Sequence, residues 1–186
     1  MGFYDSPENV EQYVSMADGH DGRALIEEMR RYLEPTSHVL EIGMGPGVDL
    51  DILGTWFNAT GSDISEVFIQ RYLSTHPGAS VLKMDAATLE TDLHFDGIFS
   101  NKVLHHLSPT AQSASFQRQA ALLNPGGYAF HSFWYGEAVE KFEGLLFHQH
   151  TEDSLQRLIE PYFEIVELRR YTEMEADDSL FAVLQR

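Results

Sequence analysis

The sequence contains no cysteine, which excludes disulfides, thiolate metal sites and cysteine nucleophiles. Positive charge is scarce: 12 Lys+Arg stand against 29 Asp+Glu, a formal net charge of −17. A protein that grips a phosphate backbone needs a basic stripe, so nucleic acid is not an expected partner. Small molecules, cationic substrates and other proteins remain. No apolar run approaches the roughly 18–20 residues of a membrane span. The stretch from Met1 to Glu11 has neither the basic nor the apolar region of a secretory signal. The expectation is a cytoplasmic protein with no stable membrane association. Repeats, low-complexity tracts and linkers are lacking too.

What is present is a chain of 186 residues, 43% hydrophobic and 22% charged, a composition ordinary for a soluble globular protein. One domain over residues 1–186 is expected, burying about 70% of its unfolded surface. The pattern alternates. Helical spacing over 22–33 places Leu25, Ile26, Met29 and Leu33 on one side, with Pro35 as the stop. Strands are expected at 38–42, 58–63, 80–84, 95–99 and 128–133, and helices at 47–57, 64–75 and 110–123. Residues 136–150 read as partly helical but poorly patterned. Thr151 is a suitable N-cap for another helix, with Glu152 and Asp153 in its first turn. Two closing strands, 163–171 and 179–184, flank an acidic stretch. Five strands separated by helices imply a parallel sheet covered on both faces, and the last two form an antiparallel pair at its edge. The fold class is therefore α/β: a three-layer, Rossmann-like, seven-stranded sheet, mostly parallel with an antiparallel C-terminal strand.

The stretch Glu41-Ile-Gly43-Met-Gly45-Pro-Gly47 joins the first strand to a helix. Glycines there let the backbone approach a ligand, and the helix start offers free N–H groups. A dinucleotide fingerprint needs glycine at residue 48, which is Val48. No Gly-Lys-Ser/Thr follows, so the turn is not a P-loop. Glu41 is a poor neighbour for a pyrophosphate and a good one for a cation. The turn suits a nucleoside with no phosphate and some positive charge.

The run VLEIGMGPG resembles the first motif of the class I S-adenosylmethionine-dependent methyltransferases, in their small stand-alone form. The resemblance extends from about Tyr13 to the last strand. It implies that Glu41 sits near the cofactor's methionine end, with Gly43, Met44 and Gly45 packed against it. Asp63, 22 residues after Glu41, matches the acid that accepts from both ribose hydroxyls, with Ile64 against adenine. Asp85-Ala86 resembles the pair meeting the adenine amino group. The run from Phe95 to Leu107 is similar to the fourth-strand motif, implying that backbone near Asn101 touches the methionyl moiety. Leu123 to Tyr128 matches the turn before the fifth strand. Similar proteins use an N-terminal tyrosine as a lid, and within residues 1–35 Tyr13 is the better match. S-adenosylmethionine is the implied cofactor, leaving as S-adenosylhomocysteine. A nicotinamide oxidoreductase on the same fold is disfavoured by Val48 and Glu41.

Methyl transfer from a sulfonium is an in-line displacement, helped mainly by alignment. A base is required only if the nucleophile arrives protonated. His105 is the candidate base; His106 is assigned beside the cofactor or in the frame of its loop. Past the fifth strand, Trp134 and Tyr135 can wall a substrate pocket or hold a cation by a ring face. Tyr4 and His148 are further pocket candidates. His148 and His150 have ligand spacing for zinc, but no third ligand is visible, so no metal is expected. The expected activity is methylation of a small-molecule N or O nucleophile, with the charge favouring a neutral or cationic one. The alternative is a non-catalytic S-adenosylmethionine-binding subunit that regulates a partner protein.

Overall fold

The computed structural model describes residues 3–17 and 19–186. Met1 and Gly2, part of the stretch read for a secretory signal, lie outside them. The strands are β1 (His38–Ile42), β2 (Asn58–Asp63), β3 (Val81–Lys83), β4 (Phe95–Asn101), β5 (Leu123–Trp134), β6 (Val139–Phe142), β7 (Leu145–His148), β8 (Glu164–Tyr171) and β9 (Ser179–Gln185). Seven of them form one sheet in the order β3-β2-β1-β4-β5-β9-β8. Neighbours from β3 to β5 pair parallel, and β9 runs antiparallel between β5 and β8. The expected sheet is present, with one refinement: of the last two strands β8 alone lies at an edge, and β9 is an interior strand buried along nearly its whole length.

The helices are α1 (Pro7–Met16), α2 (Arg23–Met29), α3 (Val48–Gly54), α4 (Glu66–Thr75), α5 (Pro109–Leu122) and α6 (Glu152–Ile159). Strand alternation divides the core into two layers. Val39, Phe99 and Phe130 face Leu25, Ile26 and Met29 of α2 and Leu53 of α3. Leu40, Ile42, Ile98 and Phe133 face Phe116 of α5 and Leu155 and Ile159 of α6. Glu41 therefore projects to the same side as Val39, toward α3. Thr151 caps α6 as expected, in a reciprocal pair with Ser154.

Three features depart from the sequence reading. An additional helix, α1, precedes the one expected first; Ser6 caps it and Val10 is its one buried residue, so it leaves little apolar pattern to read. The link between β3 and β4 is turn and loop, without a helix. Residues 136–150 are a hairpin, β6 and β7, and not a helix. Its two-residue turn, Glu143-Gly144, has positive φ at both positions (51° and 86°), the geometry that matches strand twist. β6 is exposed throughout and β7 only half-buried, so no face alternates in hydrophobicity.

Candidate functional site

The carboxyl ends of β1, β2, β3 and β4 lie side by side, in the crevice where open parallel sheets hold ligands. The turn leaving β1 has glycines at positive φ, two of them under close packing. A Cβ on Gly43 (φ 71°) would lie 2.5 Å from a Val103 methyl, and one on Gly47 (φ 88°) 2.3 Å from the Tyr72 ring. Only glycine satisfies both the dihedral and the space. Met44 N–H donates to Ser62 O (2.9 Å), tying the turn to β2.

Asp63 ends β2 and is buried. Its Oδ2 accepts from Gly45 N (2.9 Å) and its Oδ1 from Ser65 N (2.8 Å). Burial raises its pKa, while those N–H groups and that of Ile64 oppose the rise. Glu41 is 3% exposed, and its Oε2 has no hydrogen-bond partner among the described residues. Burial first, then the charges of Asp49, Asp63 and Asp51, push its pKa well above the carboxylate range. Asp49, in the first turn of α3, accepts from Gly22 N (2.6 Å) and Asn101 Nδ2 (3.0 Å). A group of like charges with one unsatisfied oxygen is a standing demand for a cation or a hydrogen-bond donor.

The N-terminal segment covers this crevice. Tyr13 reaches to 3.8 Å from where a Gly45 Cβ would stand, and Tyr4, Tyr13 and Phe68 of α4 pack mutually, ring centroids 5.5–5.8 Å apart. Ser65 Oγ donates to Tyr4 O (2.6 Å). Burial raises both tyrosine pKa values, and Asp63 contributes to each. Tyr4, assigned from sequence to a substrate pocket, thus stands beside Tyr13 on the Asp63 side. Ile64 is 57% exposed at the rim. Asp85 follows β3 and accepts from Ala87 N (2.7 Å), with Ala86 half-buried beside it.

On the other side of β4, Asn101 Oδ1 accepts from Ser132 Oγ (2.5 Å), so its side chain bridges Asp49 and β5. Past it, Leu104–His106 form a 3-10 turn. His105 is 2% exposed, with both ring nitrogens unpartnered among the described residues. Burial is the main cause that holds its pKa well below the usual histidine value. His106 donates from Nδ1 to Leu146 O of β7 (2.7 Å), which fixes the hairpin over the turn. Phe147 stacks on His105 at 5.5 Å. His148 and His150 lie parallel, 4.6 Å apart. Trp134 is half-buried at the end of β5. Tyr135 bridges to His150 and has its ring 3.6 Å under the Arg170 guanidinium, its hydroxyl accepting from Arg170 Nη2.

Lys102 has no role in the sequence reading. Its backbone is left-handed (φ 54°), and its ammonium donates to Phe133 O (2.9 Å) and Ser179 Oγ (2.6 Å) while lying 3.8 Å over the Trp134 ring. Burial brings its pKa down to about 8, against the pull of Glu173 and Asp178. The available signal was position: a lone base directly after a buried apolar strand.

Residues 17–172 match the family described as methyltransferase domain. No curated protein matches. Among solved structures, the 1,6-didemethyltoxoflavin-N1-methyltransferase of Burkholderia thailandensis, with bound 1,6-didemethyltoxoflavin and S-adenosylhomocysteine, superposes with a TM-score of 0.80 at 21% identity, covering 95% of this chain and 82% of that one. An N-methyltransferase from Bradyrhizobium japonicum WM9, in complex with S-adenosylhomocysteine, gives 0.74 at 18% identity and covers 100% and 99%. The magnesium protoporphyrin IX methyltransferase of Synechocystis PCC 6803, with bound S-adenosylmethionine, gives 0.74 at 16% identity and covers 99% and 93%. At these identities the likeness establishes the fold. The family match runs from before α2 to the end of β8, and on it the chain belongs to the methyltransferase domain family.

Proposed function

We propose that the protein is an S-adenosylmethionine-dependent methyltransferase acting on a small-molecule N or O nucleophile by in-line transfer. The observation that carries the reading is Glu41, a buried carboxyl with an unpartnered oxygen beside a turn that leaves no room for a side chain at Gly43 or Gly47. That donor set fits a cationic nucleoside. Bound there, the cofactor supplies a methyl group on a sulfonium. Glu41 and the Gly43–Gly45 backbone with Met44 hold its methionine end, near Asn101 and His106. Asp63 takes the ribose hydroxyls, Ile64 covers adenine, and Asp85 and Ala86 meet the adenine amino group. Tyr13 closes over it from the N-terminal segment, in one working domain of residues 1–186. His105, neutral near pH 7, holds a lone pair for a proton. Structural neighbours named for 1,6-didemethyltoxoflavin and magnesium protoporphyrin IX support this class of acceptor. No helix among the described residues is long and apolar enough to cross a membrane.

Calorimetric titration tests the reading. S-adenosylmethionine and S-adenosylhomocysteine are expected to bind at micromolar concentration and NADH not at all. Binding of NADH in their place would overturn it.

A further inference from the structure

The acidic side of the crevice accounts for the cofactor; the other side is built from bases. His105, His148 and His150 carry four ring nitrogens with no hydrogen-bond partner among the described residues: His105 Nδ1 and Nε2, His148 Nδ1 and His150 Nε2. Buried polar atoms in native proteins are nearly always paired, so a cluster of four on one side of one site calls for a ligand. The neighbours acting on His105 are themselves bases, namely His106, Lys102 and His150. The carboxylates on the Lys102 side are already engaged. Glu173 accepts from Tyr171 OH (2.6 Å) and lies 4.0 Å from Lys102, Asp178 accepts from three backbone N–H groups, and Glu152 pairs with Arg170.

The ring nitrogens also define what they can hold. Ser154 Oγ donates its hydrogen to Thr151 O (3.1 Å) and lies 3.3 Å from His150 Nδ1. His150 Nδ1 then carries the proton, and Nε2 is a bare lone pair. Neutral His105 offers one donor and one acceptor. The His148 and His150 rings are planar walls within 5° of parallel. A cationic amine would meet the Lys102 ammonium, with Glu173, Asp178 and Glu152 already engaged. A carboxylate would arrive without the proton that a bare imidazole nitrogen is placed to receive.

We infer that the imidazoles of His105, His148 and His150 form the acceptor-reading subsite, and that it takes a flat, weakly acidic compound arriving with its proton on, such as a phenol or an azole N–H. This rests on the methyltransferase reading of the glycine turn. The acceptor's O–H or N–H bond breaks as its O or N takes the methyl, and the proton joins a His105 ring nitrogen, so no separate anion forms in the subsite. The net charge of −17, which alone favours cations, does not describe this side of the site.

The experiment saturates the protein with S-adenosylhomocysteine and then titrates 4-cyanophenol, benzoate and benzylamine, following histidine ring nitrogens by NMR. The phenol is expected to bind roughly tenfold tighter than the other two, as leaving buried partners unpaired costs affinity, and to shift the His105, His148 and His150 signals. His148→Phe and His150→Phe keep a flat aromatic ring without its nitrogens and are expected to lower phenol affinity by roughly tenfold at unchanged S-adenosylhomocysteine affinity. His148 is half-exposed, so its variant retains the fold, which circular dichroism checks. Equal or tighter binding of benzoate or benzylamine, or phenol affinity untouched in both variants, overturns the inference. Failure of S-adenosylhomocysteine to bind would instead bring down the reading beneath it.

Discussion

Asp63 and Glu41 are both buried carboxyls at the ends of adjacent strands, yet they answer burial differently. Asp63 engages both oxygens with backbone N–H groups, while Glu41 keeps one oxygen unpaired. Asp63→Ala should weaken S-adenosylhomocysteine binding by about 1–3 kcal/mol, the loss of a buried charged acceptor. Asp63→Asn, which keeps one oxygen, should fall between. Unchanged calorimetric affinity in the alanine variant would remove the ribose role. For Glu41 the consequence is a pH profile. Its folded pKa is raised above the unfolded value, so its contribution is fully present below pH 4.5 and is lost as pH rises through the folded value. As pH rises above 4.5, the thermal midpoint of the ligand-free protein should therefore fall more than that of Glu41→Gln. Parallel profiles would contradict a buried, protonated Glu41.

At the scale of elements, α3 and the turn before it give a paired test. Gly47 has φ 88° and would push a Cβ into the Tyr72 ring, whose hydroxyl donates to Asp51 (2.6 Å). Gly47→Ala should destabilise by roughly 1–3 kcal/mol through strain and displacement of that ring. Gly54 ends the same helix with open space around its Cβ direction, and Gly54→Ala should stabilise by about 0.4–1 kcal/mol. Denaturant midpoints moving in one direction for both variants would count against this account. The same elements explain what was legible in the sequence. Apolar strands such as 38–42 and turns demanding glycine announce themselves because burial and backbone sterics act locally. The hairpin of β6 and β7 was read as irregular helix because neither face is fully buried, and α1 was missed because it buries Val10 alone. Glu41, Asp63 and Asp85 were legible by their positions at strand ends, whereas Asp49 was not, because only the fold brings Gly22 and Asn101 to it. Lys102 was not, because its role depends on Phe133, Trp134 and Ser179, which only the folded sheet brings to it.

Across the whole molecule, burial of neutral histidines sets stability in acid. Burial lowers the pKa of His131 to about 3 and of His150 to about 4. His131 sits between Ser100 Oγ and Gln119 Oε1, at 2.8 Å from each, and both bonds suit a neutral ring. A histidine with a depressed folded pKa contributes stability above its unfolded value, near 6.5, which is lost as pH falls toward the folded value. Between pH 6.5 and pH 5 the unfolded chain takes up protons that these rings refuse, at about 2 kcal/mol each. Glu41 works in the opposite sense over the same window, so the informative quantity is a difference between proteins. In urea unfolding, the stability lost from pH 6.5 to pH 5 should be about 2 kcal/mol smaller in His131→Gln than in the parent chain, even though the variant starts lower for want of the shape between Ser100 and Gln119. An equal loss in both would mean that His131 takes up its proton while folded, and that the closed polar chain across β4, β5 and α5 opens in mild acid.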